Sequence, residues 1–152
     1  MLSHRAFASV WVITLGSIAP LAQAAGVVTV NLPWVRPAAI HAATEAYMEI
    51  TSSENAVIAA AQSPAASRVT IRSTGPGRNA SEIQLPAKTT VVLAPRRQRV
   101  VLSGLTQPLK LGDHVPITLS LKDANGAVQE IAVQAEVRTG SARDQEGHEH
   151  SH

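Results

Sequence analysis

The chain has 152 residues, enough for one domain with a core of its own. Its formal net charge of +2 is too thin a margin to argue for nucleic acid or an anionic membrane as a partner, and aromatic residues, at 3%, are too few for a base-stacking platform. Cys is absent, which excludes a disulfide framework, a thiolate metal site and a thiol nucleophile.

The first segment reads as a leader. Met1 to Arg5 carries one firm positive charge, and Ala6 to Leu21 is apolar and uncharged. Ala22-Gln23-Ala24 then places small residues at the two positions a signal peptidase reads, so cleavage before Ala25 is predicted. The apolar run falls short of the roughly 20 residues a spanning helix needs, and no membrane anchor is expected after cleavage. Residues 1–24 are therefore assigned as a cleaved signal peptide, and the mature chain is expected in the periplasm. Loss of Arg5 lowers the net charge to +1.

The mature region reads as short strands between turn signals. Val27 to Val30 is β-branched, and Trp34 to Arg36 lies between Pro33 and Pro37. Thr44 to Thr51 alternates, with Ala46, Met48 and Ile50 on one face and Glu45 and Glu49 on the other. Val57–Ala61, Val69–Ile71, Thr89–Leu93 and Arg99–Leu102 follow. Ile117 to Leu121 keeps the period of two that a half-buried strand requires, and Ile131, Val133, Ala135 and Val137 repeat it after the Asn125-Gly126 turn. Proline marks almost every junction, and no long segment holds a helical period. Eight to nine such strands predict an all-β antiparallel sandwich over residues 25–140, with Trp34, Val69, Leu93, Leu102 and Leu119 largely inside. Residues 141–152 are polar with nothing to bury and are expected to form a disordered tail.

Several segments, taken in order, resemble one family. They are Asn31 to Pro37, Ala46-Tyr47-Met48, Ser63 to Ala66, Leu85-Pro86-Ala87, Leu102 to Asp113 and Val115 to Leu119. From about Val30 to Val137 the chain is similar to the periplasmic copper chaperones called PCu(A)C proteins. The resemblance implies a cupredoxin-like sandwich, related in architecture to immunoglobulin-like folds. It also implies that one Cu(I) is carried to partners in cytochrome oxidase assembly. That family holds the ion with a His, a Met and a His-x-Met pair, soft and borderline donors suited to Cu(I).

The resemblance assigns those ligands to positions where this chain has others. Arg72 stands for the first His, and Arg99 and Val101 stand for the His-x-Met pair. The loop at 73–81 contains no Met. A Cu⁺ held ~4 Å from a fixed unit charge meets ~4 kcal/mol of repulsion at an effective dielectric of 20, or about three decades in affinity. Arg72, Arg99 and Val101 are therefore read as a degenerate copper site, with Arg96 and Arg97 extending a basic patch beside it.

The tail offers other donors. His148, His150 and His152 recur at every second residue, so an extended chain can gather three imidazoles around one ion, and imidazole suits Cu(II). His41 and His114 read as loop and turn residues, and Met48 as core. Scattered carboxylates, no Cys and no G-x-S-x-G elbow argue against an enzyme. The function expected is that of a monomeric, periplasmic, copper-chaperone-like protein that handles metal through its His tail. The alternative is a module without metal that docks a protein or anion on its Arg72/Arg99 face, where guanidinium forks suit bidentate contacts.

Overall fold

The computed structural model describes residues 26–74 and 81–142. The leader, residues 75–80 and the tail histidines His148, His150 and His152 lie outside the described residues. Nine strands follow one another: β1 (Val28–Val35), β2 (Thr44–Ser52), β3 (Ala56–Gln62), β4 (Ala66–Arg72), β5 (Ile83–Leu85), β6 (Thr90–Leu93), β7 (Arg99–Leu105), β8 (His114–Asp123) and β9 (Val128–Val137). They form one sheet in the order β4-β7-β2-β1-β9-β8-β3-β5, with β6 also paired to β2. The sheet curls until β3 and β4, near its two ends, touch. The result is the expected all-β sandwich, nearly closed into a barrel.

Alternation builds the core. β2 sends Ala46, Met48 and Ile50 inward, β7 sends Val100 and Leu102, and β8 sends Val115, Ile117, Leu119 and Leu121. Each such large side chain contributes about 1.5–3 kcal/mol by leaving water. Leu93, Leu102 and Leu119 are buried as expected, and Met48 is a core residue. Val69 is only partly buried, because β4 pairs with β7 along one edge alone. Trp34 is buried outside the main core cluster, paired with Tyr47 on the opposite face of the sheet.

Two prolines lie within strands rather than at junctions. Pro33 sits in β1 where the register with β2 shifts between Asn31 and Trp34, and Leu32 there has a φ of 49°. That bulge joins the two predicted segments into one strand and leaves the missing N–H outside the ladder. Pro116 lies in β8 beyond the last β3 pair at Thr118, where that side of the strand has no ladder to break. Antiparallel pairing holds throughout except where Trp34 and Val35 run parallel to Glu136 and Val137. This contact makes β1 the seam between the two layers.

The β8–β9 hairpin closes as its sequence asks. Gly126 takes a φ of 83°, and the Asp123 carboxylate accepts hydrogen bonds from the N–H groups of Asn125 and Ala127, at 2.8 and 2.9 Å. Gly104 is more constrained. Its φ is 63°, and a Cβ there would stand 2.1 Å from the Ser67 hydroxyl across the β4–β7 pair. Gly126→Ala should cost only the left-handed backbone penalty, about 1–2 kcal/mol. Gly104→Ala should cost more than that, because a side chain must also move. Urea unfolding of the two variants measures the difference, and equal losses would contradict the close β4–β7 approach.

Candidate functional site

The outer face of the β4-β7-β2-β1 layer collects the residues singled out from the sequence. β7 sets Arg99 against Arg72 of β4 and Val101 against Thr70, while its other edge sets Val101 against Glu45 of β2. Positions 72, 99 and 101 thus share one face of two paired strands. On β2 the same face carries Glu45, Tyr47 and Glu49, and β1 adds Trp34 opposite Tyr47.

A polar network ties this face together. Arg99 donates from Nε to Glu45 Oε1 at 2.7 Å and from Nη1 to the Arg97 carbonyl at 2.9 Å. The other Glu45 oxygen accepts the Tyr47 hydroxyl. Trp34 and Tyr47 stack at a tilt with centroids 4.7 Å apart, and the Arg36 guanidinium lies 5.7 Å from the Tyr47 ring centre, within cation–π range. Thr44 donates its hydroxyl to the Arg36 carbonyl at 2.7 Å, fixing the chain where it leaves β1. A shallow depression of about 320 Å³ between Arg36, Pro37, Thr44, Glu45 and Val101 opens onto this network.

The charges settle accordingly. Burial opposes ionisation of Glu45, but the Tyr47 hydrogen bond, the charge and hydrogen bond of Arg99 and the charge of Arg36 together hold its carboxyl below the usual range. Burial, then the hydrogen bond and charge of Glu45, push the Tyr47 phenol up to about 12. Tyr47 therefore stays a neutral donor at any physiological pH, and Glu45 stays an acceptor. This corrects the picture of two bare guanidiniums: Glu45 neutralises Arg99, and the repulsion of a cation falls mainly to exposed Arg72.

The other candidates lie apart. Arg96 and Arg97 are exposed in the β6–β7 turn, at the Arg72 end of the sheet. His41 is exposed in the β1–β2 connection with a φ of 65°, its N–H bonded to the Leu105 carbonyl at 2.9 Å. His114 opens β8 rather than sitting in the preceding turn, exposed and registered with Glu136. Among the described residues, no three His, Cys, Asp or Glu side chains gather where they could hold a metal ion. Sequence reasoning marked Glu45 only as an outward residue and missed its role. Glu45 and Tyr47 stand at i and i+2 on one strand, but their partner Arg99 is far along the chain, so only the register could reveal the pair.

Comparisons with known proteins place this scaffold. The apo PCuAC domain of PmoF1 shares the fold, with a TM-score of 0.64 at 20% identity over 74% of this chain and 94% of that one. The Cu(I) form of DR1885 from Deinococcus radiodurans superposes with a TM-score of 0.51 at 26% identity, over 72% of this chain and 80% of that one. A protein called "Putative lipoprotein Lxx21020", from Leifsonia xyli subsp. xyli, is 31% identical over 137 residues, 84% of this chain and 80% of its own. The family described as "Putative lipoprotein LpqE-like" matches residues 28–137, from the first residue of β1 to the last of β9. On this span and that identity, the chain belongs to the LpqE-like lipoprotein family.

Proposed function

We propose that this protein handles copper outside the cytoplasm on a PCuAC-type scaffold whose core site has been replaced by an ion network, leaving metal capture to His148, His150 and His152. The observation that carries the reading is the occupant of the outer face. Where the resemblance assigns copper ligands, the chain has Arg72, Arg99 and Val101, and Arg99 is committed to Glu45 and the Arg97 carbonyl. Guanidinium nitrogens are donors only and cannot ligate a metal. The imidazoles of the tail are the remaining borderline ligands that recur at close spacing.

Membership of a lipoprotein family supports export, and the periplasm is the compartment we assign. These 152 residues contain no Cys, so a lipid carried on a thioether has no attachment point within them. The PCuAC fold and the Cu(I)-bound neighbour support copper as cargo, held at the tail as Cu(II), and copper-delivery partners of cytochrome oxidase assembly as its destination. The protein is assigned no catalytic step and works as a monomer.

Two measurements test this reading. Imidazole must be neutral to ligate, so protons compete with the metal and Cu(II) affinity should fall as pH drops below about 6.5. In the His148→Ala/His150→Ala/His152→Ala variant, Cu(II) binding followed by competition titration should be lost at every pH. Uptake indifferent to these substitutions would mean that the tail is not the site and that the chain holds its metal elsewhere, whereas no uptake by the unaltered protein would move the function to the docking alternative.

The second measurement restores the core. In a chain lacking residues 143–152, Arg72→His, Arg99→His and Val101→Met remove two guanidiniums and supply three ligands on one face. Cu(I) affinity against a chelator under reducing, anaerobic conditions should rise above that of the parent. It should remain short of a four-ligand site, because the loop at 73–81 holds no Met. No gain would mean that these positions do not form the vacated site.

A further inference from the structure

The arginines of this chain are segregated. Among the described residues, β4 carries Arg68 and Arg72, the β6–β7 turn Arg96 and Arg97, β7 Arg99, and the end of β1 is followed by Arg36. All six belong to one layer. Arg138, on the other layer, is ion-paired with Glu136, and Arg99 is ion-paired with Glu45. Arg68, Arg72, Arg96 and Arg97 are exposed and make no ion pair with a carboxylate among the described residues. Exposed guanidiniums on one face form a surface built for carboxylates.

The last described residues run beside that face. Arg138 donates its N–H to the Val35 carbonyl at 2.9 Å, so the end of β9 runs beside β1. Thr139, Gly140 and Ser141 then line a groove of about 350 Å³ together with Trp34, Arg36, Ala94 and Pro95. Trp34 lies on the outer face, and Ala94 and Pro95 immediately precede Arg96 and Arg97. The segment that follows, residues 143–152, carries Asp144, Glu146 and Glu149 against Arg143 alone.

Reach is sufficient. Paired strands lie about 4.8 Å apart, so the three spacings from β1 to β4 amount to about 14 Å. Ten extended residues span up to about 33 Å. Tethering raises the local concentration of the segment to roughly millimolar, so weak contacts are enough.

We propose that residues 143–152 dock across the arginine face of their own chain, their carboxylates engaging the exposed guanidiniums of Arg72, Arg96 and Arg97. The segment then covers the ion network from outside and withholds the face from acidic partners. This inference rests on charge and on the exit path, and is independent of metal capture by the same segment.

The test compares two-dimensional ¹⁵N NMR spectra of the mature protein with and without residues 143–152, recorded without metal at low ionic strength. Removal of the segment should shift backbone and Arg Nε signals at Arg72, Arg96, Arg97, Arg99 and Val101, and high salt should shrink those differences. The Asp144→Asn/Glu146→Gln/Glu149→Gln variant should reproduce the truncated spectrum on this face. It keeps all three imidazoles, so its Cu(II) titration reports on the metal reading separately. Differences confined to residues beside the cut, or unchanged by neutralising the carboxylates, would overturn the docking proposal and leave the face open to an acidic partner.

Discussion

Antiparallel pairing of β7 with β4 on one edge and β2 on the other decides which side chains can meet on the outer face. It brings Arg72 against Arg99, Val101 against Glu45, and Tyr47 into the row that Trp34 covers. The rest of the site follows from this register. Arg99 can reach Glu45 only because their strands are neighbours, and Glu45 can hold both a guanidinium and a phenol only because Tyr47 is two residues away on the same face. Gly104 lies beside Ser67 across the β4–β7 pair, and a Cβ there would displace the Ser67 hydroxyl.

A fold of this kind can join strands across a face with a bound cation or with a fixed one. In this chain a guanidinium bridges β7 and β2 with charge-assisted hydrogen bonds in a fixed direction. The pair is about one-third exposed, so its energetic contribution is screened and its main effect is positional. It orders Arg99, keeps Glu45 ionised and holds Tyr47 as a donor beneath Trp34 and Arg36. Among the described residues, no three His, Cys, Asp or Glu side chains gather on this face to hold a metal ion, and Arg72, Arg96 and Arg97 are left exposed on it.

Much of this was legible in the sequence because burial writes a period of two. Ile117 to Leu121 and Ile131 to Val137 gave their strands and inward faces directly, and the Asn125-Gly126 turn gave their connection. β5 was visible only through its Leu85-Pro86-Ala87 resemblance, since three residues are too few for a period. Pro33 and Pro116 misled as punctuation because a bulge and an unpaired strand edge absorb their missing N–H groups. The convergence of Arg72, Arg99 and Val101 was expected from resemblance and agrees with the register. Glu45 was not, since nothing local in the sequence links it to a residue more than fifty positions away. The groove that joins Thr139–Ser141 to Trp34 and Pro95 is likewise tertiary and leaves no local trace.

Whether the outer face of this domain takes up Cu(I) is the decisive question. A Cu(I) competition titration of the unaltered domain lacking residues 143–152, under reducing and anaerobic conditions, measures that directly. With Arg99 committed to Glu45, and Arg72 and Val101 at the other positions to which the resemblance assigns ligands, the chelator should retain all of the copper. Transfer of one Cu(I) per chain to this domain would contradict the account and show that the core still binds metal through residues other than those identified.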